Sequence, residues 1–202
     1  MSNEKRETIN ELVLQGGIVH KLSTSDVTIL TITTGNITSI KNYPKVVCFR
    51  EAKEQADKFK EGDYVRVTAN IQSSKRNPKI KNQALESIFA ESVEEAKSVM
   101  EEKFNVEGYF VAYQNELKIC GPVVSTSSLA GNVCNIVVRT MKNDRLSFVK
   151  LTKFIKSPND PALAIAPGDY VYALGHIQTR KKEVNGKPHT FQNCVISEIK
   201  KG

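Results

Sequence analysis

Two runs of basic residues stand out as groups that could do chemistry. Lys75, Arg76, Lys79 and Lys81 fall within one short stretch, and Arg180, Lys181, Lys182 and Lys187 fall within another. Each run follows an alternating apolar segment that closes on Ile-Gln and a small hydroxyl residue, IQSS from Ile71 and IQTR from Ile177. Clustered cations are often only solvated loop tips, but a cluster that recurs in the same context points to an anionic, phosphate-bearing partner. The whole chain leans the same way, with 29 basic against 22 acidic residues, a formal net charge of +7 and a pI near 9.2.

Other chemistries are poorly supplied. Cys48, Cys120, Cys134 and Cys194 are far apart and form no C-x-x-C pair, and neither they nor His20, His176 and His189 show zinc-ligand spacing. Neither a metal site nor a cofactor is expected. Cys48, Cys134 and Cys194 fall in apolar or alternating stretches, where a cysteine usually acts as a small buried hydrophobe. No serine or cysteine nucleophile sits in a recognisable motif with a base and an orienting acid, so nothing argues for catalysis. The composition, 40% hydrophobic and 25% charged over 202 residues, is that of a globular protein with one or two cores. No apolar run approaches the length that spans a bilayer, and the amino-terminal MSNEKRETINEL is polar, so a cytoplasmic, membrane-free protein is expected.

The elements that position the basic runs come in two copies. EGDYVRVTANIQSSK from Glu61 matches PGDYVYALGHIQTRK from Pro167 at an offset of 106 residues, and VTILTITT from Val27 lies over VCNIVVRT from Val133 at the same offset. Further upstream, LQGGIV from Leu14 resembles VEGYFV from Val106 at an offset of 92. That difference predicts a longer first hairpin in the second copy, NELKICGPVVSTSSLAGN. Between the copies, SVEEAKSVMEEKF offers Ser92 as N-cap, Glu95 as its capping-box partner, and Val93, Ala96 and Met100 at helical spacing. The expected organisation is a first domain over residues 1–91, a linker helix over 92–103 and a second domain over 104–202.

Within the first copy the pattern predicts strands over Leu12–Lys21, Val27–Thr33 and Lys45–Phe49, a helix over Glu51–Lys60, then strands over Tyr64–Ser73 and Gln83–Ala90. The helix has Ala52, Ala56 and Phe59 on one face and stops at Gly62. In YVRVTANI, Val65, Val67, Ala69 and Ile71 alternate with Tyr64, Arg66, Thr68 and Asn70, as a barrel wall requires. Five strands with a helix between the third and fourth is the order of an OB-fold, a five-stranded Greek-key barrel. The chain is therefore expected to be mainly β, as two tandem OB-folds joined by a short helical linker.

The stretch YPKVVCFREAKEQADKFKEGDYVRVTANIQSSKR from Tyr43 resembles the centre of bacterial single-stranded DNA-binding (SSB) proteins: an aromatic, a basic residue, Val-Val-x-Phe, the helix, Gly-x-x-Val and a strand ending in a basic run. GDYVYALGHIQTRKKEVNGKPHTFQNCVISEI resembles that family's last two strands, joined by a basic hairpin with an Asn185-Gly186 turn. The resemblance implies non-enzymatic, sequence-independent binding of single-stranded DNA in replication, recombination or transfer. It places Tyr43 and Phe49 where the family stacks bases, a contact worth ~1–3 kcal/mol per base, with Lys45 and Arg50 as phosphate contacts; Phe49 reads equally as core. Lys75, Arg76, Lys79, Lys81, Arg180, Lys181, Lys182 and Lys187 become the hairpin cations that clasp the strand. Arg76 and Lys182 stand where the family commonly has tryptophan, which implies more electrostatics and a steeper salt dependence.

The second copy shows no aromatic at the place of Tyr43. There Phe148 and Phe154 read equally as core or platform, while Arg139, Arg145, Lys150 and Lys153 supply charge. Tyr109 and Tyr172 face outward if Phe110 and Val171 face inward, and the prolines of PNDPALAIAP argue against a regular helix. Two chains would together supply the four folds of a typical SSB assembly, which makes a homodimer the expected partner state. The sequence ends in ISEIKKG with no acidic recruiting tip, which suggests a specialised protein of a phage, plasmid or other mobile element. An RNA- or tRNA-binding OB module, or a replication or conjugation scaffold with one fold turned to protein contacts, are the alternatives.

Overall fold

Val65, Val67, Ala69 and Ile71 all point into a closed barrel, buried as their alternation demands. The computed structural model describes residues 7–34, 42–73, 86–96, 98–99, 110–111, 113–129, 132–184 and 186–202. The first barrel comprises β1 (Ile9–Ser23), β2 (Thr28–Thr33), β3 (Lys45–Cys48), β4 (Tyr64–Ser73) and β5 (Glu86–Glu95), with helix α1 (Arg50–Asp57) between β3 and β4. β1 pairs with both β2 and β4, β3 joins β2 to β5, and β4 pairs with β5, so the sheet closes. The β3–β5 pair is parallel and the others are antiparallel, the OB arrangement.

A two-residue pair, β6 (Ser98–Val99) with β7 (Phe110–Val111), precedes a second barrel. It comprises β8 (Gln114–Leu129), β9 (Val133–Lys142), β10 (Arg145–Phe154), β11 (Tyr170–Val184) and β12 (Lys187–Lys201), and it closes in the same way through β8–β11 and the parallel pair β10–β12.

Three expectations are corrected. Residues 92–95 are the end of β5, not the start of a helix: Val93 pairs with Val67 and is buried, and its N–H donates to Gln55 Oε1 at 2.8 Å. The capping-box pattern is a local preference, and pairing with β4 plus burial of Val93 outweighs it. Ser98–Val99 is extended as well, and the remainder of the expected helix lies outside the described residues. Second, LQGGIV is equivalent to ICGPVV from Ile119, not to VEGYFV. Gly16 pairs with Val65 and Gly121 with Val171, at matching places in the two barrels. A Cβ at Gly16 would lie 1.8 Å from Thr33 O, and one at Gly121 would lie 2.3 Å from Arg139 O, so backbone approach fixes glycine at both. The first hairpin of the second barrel is therefore longer by a single residue. Third, Asn70, on the outward side of the β4 alternation, is buried all the same and donates to Glu91 Oε1; Glu91 is the extra residue of a bulge on β5, where consecutive residues Thr68 and Ala69 pair with Ser92 and Ala90.

The barrel ends are closed differently. Ala52 and Ala56 of α1 are buried in the first barrel with Phe59 packed against them. Lys21 Nζ donates to the carbonyls of Ala56, Asp57 and Phe59 at 3.1, 3.1 and 2.7 Å, satisfying the helix C-terminus with a cation. The second barrel has only the 3-10 turn Pro161–Ala164, which buries Ala162 beside Ile165, in keeping with its prolines.

The two barrels meet through an antiparallel β1–β8 pairing in which Leu12 faces Leu117. Asn10 Nδ2 of the first barrel donates to Thr140 Oγ1 of the second at 3.0 Å, while Asn115 Nδ2 of the second donates to Thr34 Oγ1 of the first at 3.1 Å. Tyr43 N donates to Thr179 Oγ1 at 2.8 Å, and Phe148 N donates to Ser73 Oγ at 2.9 Å. Each contact thus appears twice with its partners exchanged, the signature of a two-fold relation passing near Leu12 and Leu117. The hydrophobic core runs through both barrels.

Candidate nucleic-acid interface

In β10 the inward residues are Ser147, Val149 and Leu151, so strand alternation turns Phe148, Lys150, Thr152 and Phe154 outward. In β3 and its flanks Pro44, Val46 and Cys48 are buried, leaving Tyr43, Lys45, Val47 and Phe49 on the outer side. The parallel pairs fix the equivalence. Val46 faces Ile88 as Leu151 faces Cys194, which puts Phe148 at the place of Tyr43, Lys150 at that of Lys45 and Phe154 at that of Phe49. The expected lack of an aromatic in the second copy is corrected: both barrels carry one outward stripe, aromatic, lysine, small residue, aromatic.

The rings on these stripes are not core. Phe49, Phe148 and Phe154 are 45%, 41% and 39% exposed, and Tyr43 is half-buried. Phe49 stacks on Phe89 of β5 with centroids 5.8 Å apart and planes at 18°. Sequence reasoning missed Phe89 and the exposed Phe191 of β12. Both lie on last strands, and the parallel register of Phe89 with Val47, which brings it to the stripe, cannot be read from spacing alone.

The cations distribute unevenly around the stripes. Lys45, Arg50, Arg139, Arg145 and Lys150 are exposed, with Arg139 opposite Phe148 across β9–β10. Arg50 has φ 51°, which turns the chain from β3 into α1. Arg145 stands at the tip of the β9–β10 hairpin, where Asn143 and Asp144 both have positive φ, and its guanidinium carbon lies 5.6 Å from the Phe89 ring centroid. Arg180, Lys181 and Lys182 are exposed on a β11–β12 ribbon that stays paired out to Val184 and Lys187 and turns at Gly186, φ 74°. Lys153 sits apart, half-buried, 3.9 Å from Asp160 and bonded to Ser197 O. Val171 is buried and Tyr172 half-buried beside it. Lys75, Arg76, Lys79, Lys81 and Tyr109 lie outside the described residues.

The arrangement offers flat rings for stacking and cations for anionic groups. Burial pushes the Cys48 thiol up to about 12, with the nearby Asp57 carboxylate adding to the effect, and burial raises Cys134 as well. Such thiols are held in their unreactive protonated form. Among the described residues no three His, Cys, Asp or Glu side chains gather as metal ligands would.

No family model matches the sequence, and no curated protein matches it. Among solved structures, the wild-type single-stranded DNA binding protein from Thermus aquaticus superposes with a TM-score of 0.63 at 11% identity, over 98% of this chain and 94% of that one. A deletion mutant of the same protein gives 0.64 at 11% identity, over 97% and 95%. A Plasmodium falciparum SSB in complex with ssDNA matches 44% of this chain and 94% of its own at 17% identity, with a TM-score of 0.35. The chain shares the fold of the Thermus protein from end to end: an SSB-type OB architecture.

Proposed function

We propose that the protein coats single-stranded DNA with little sequence preference, holding it along the two stripes. The observation that carries this is the recurrence of aromatic, lysine, small residue, aromatic at equivalent outward positions of both barrels. Unpaired bases offer flat faces to Tyr43, Phe49, Phe148 and Phe154, while Lys45, Arg50, Arg139 and Lys150 meet the phosphates along each stripe and Arg145, at the tip of the β9–β10 hairpin, adds a cation beyond them. The basic runs, Lys75, Arg76, Lys79 and Lys81 in one copy and Arg180, Lys181, Lys182 and Lys187 in the other, supply further cations for the strand. A duplex hides its base faces, so stacking discriminates against it where charge alone does not. The setting proposed is cytoplasmic replication, recombination or transfer of a phage or other mobile element, with two chains pairing to bring four barrels together.

Fluorescence anisotropy of labelled oligo-dT, oligo-rU and duplex DNA at low and moderate salt tests this. Tight, salt-sensitive binding of oligo-dT with weak duplex binding is expected, and oligo-rU decides between DNA and RNA. Equal weak binding to all three would sink the proposal in favour of a protein-interaction scaffold. Replacing Lys181 and Lys182 together by Ala should lower the magnitude of the log–log salt slope by about 1.4, at roughly 0.7 per single-strand phosphate contact; an unchanged slope removes the β11–β12 ribbon from the site.

A further inference from the structure

The two stripes lie on different barrels, and the ring system of the first is touched by a cation from the second. Phe49 stacks on Phe89, both of the first barrel, and the Arg145 guanidinium of the second lies 5.6 Å from the Phe89 centroid. The hairpin bearing Arg145 is pinned to the first barrel on either side of that contact. Lys142 Nζ lies 2.9 Å from Glu91 Oε1, and Phe148 N donates to Ser73 Oγ at 2.9 Å. Asn70 Nδ2 also donates to Glu91 Oε1, fixing the carboxylate that holds Lys142. Among the described residues no carboxylate lies within ion-pair distance of Arg145. A guanidinium laid against an aromatic ring is held in one orientation and keeps N–H groups for an anion.

Three residues further along β10 stands Phe148, the first ring of the second stripe, about 10 Å away along an extended chain. Arg145 therefore lies against a ring beside the first stripe and, along the chain, three residues from the first ring of the second. The opposite seam is built differently: Val195 occupies the place of Phe89, so no ring is available there for a guanidinium.

We infer that Arg145 joins the two stripes into one continuous track, its guanidinium seated by Phe89 and binding the phosphate of a single strand as that strand crosses from Phe49 and Phe89 to Phe148. This rests on single-strand binding as proposed above, and it makes the amino-terminal platform incomplete without the carboxy-terminal barrel. Arg145 is here a bridging contact, so its loss is felt only by a strand long enough to cross.

The test compares oligo-dT of about 8 and about 30 nucleotides, one short enough for a single barrel and one long enough for both. Arg145→Gln should weaken the long oligomer about tenfold, change the short one less than about twofold, and lower the long oligomer's salt slope by about 0.7. Arg145→Lys should keep that slope while losing part of the affinity, since ammonium carries the charge without the stacking plane. Phe89→Leu should reproduce the length-selective loss, and the double variant Arg145→Gln/Phe89→Leu should be little worse than either alone. Unchanged affinity and slope in Arg145→Gln, or equal losses on both lengths, overturns the bridge while leaving single-strand binding intact. If Arg145→Gln does not fold, the Arg145→Lys and Phe89→Leu pair decides on the same readouts. Failure of the unaltered protein to bind either oligomer overturns single-strand binding itself.

Discussion

The first barrel is closed by a helix and the second by a single 3-10 turn, yet both present the same stripe to solvent. In the first, α1 buries two alanines, Lys21 satisfies its last carbonyls, and Asp57 gathers Lys53, Thr28 and Ser23. In the second, three prolines forbid such a helix and Ala162 with Ile165 fills the end instead. A tight β9–β10 hairpin and a long β11–β12 ribbon reach beyond the wall of the second barrel, and the matching connections of the first lie outside the described residues. The difference teaches that the outward positions of the third strand are held by sheet register, which the two barrels share, and not by the plug beneath them, which they do not.

The sharpest way to break this comparison is at the seam. Leu12 and Leu117 are buried and face each other across β1–β8, so Leu12→Ala and Leu117→Ala should each cost about 2–5 kcal/mol of stability in denaturant unfolding. If the two-fold relation governs the packing, the two losses should agree within about 1 kcal/mol, since the spread at fixed chemistry reflects how well each site collapses. A loss at one site alone would show that one barrel stands without the seam.

A smaller effect separates the stripes. Phe49→Ala and Phe154→Ala should each weaken oligo-dT binding by about 1–3 kcal/mol while leaving the salt slope unchanged, because a ring contributes stacking and no counterion release. Titrations of the two variants at several salt concentrations check this. A loss confined to Phe49→Ala would make the second barrel an electrostatic arm.

The smallest effect is specific to the plug. The carboxyl of Asp57 is held down to about 2, chiefly by the Lys53 ammonium and then by the Thr28 hydroxyl. An unfolded aspartate titrates near 3.9. A depressed folded value means that its contribution is complete above about pH 4 and lost as pH falls through 2. Thermal melts from pH 5 to pH 2 should therefore show a modest acid-side decline that Asp57→Asn flattens. An identical decline in both proteins would assign the acid sensitivity to other carboxylates.

Much of this architecture was legible in the sequence. The Gly-Asp-Tyr-Val repeat, the alternation of Val65, Val67, Ala69 and Ile71, and the Ala52, Ala56, Phe59 face each encode a local pattern that burial then satisfies. What escaped were matters of register and pairing. Ser92–Glu95 looks helical by its cap, but it pairs with β4, and no local signal shows a strand its distant partner. LQGGIV resembles VEGYFV only in its apolar residues, whereas its real equivalence to ICGPVV is a backbone approach with no room for a Cβ. Phe148 and Phe154 could not be placed without the β10–β12 pairing, and Phe89 comes to Phe49 only through β3–β5.

The two-fold seam has one more consequence. Its matching contacts are made by unlike residues, Ser73 where the other side has Thr179, and Phe148 where the other has Tyr43, because a backbone N–H asks only for a hydroxyl. Barrels made by separate chains would come apart on dilution and would carry every substitution on both sides at once. Here the pairing is intramolecular, so it persists at any protein concentration, and each half is free to drift toward its own task while the other preserves the fit.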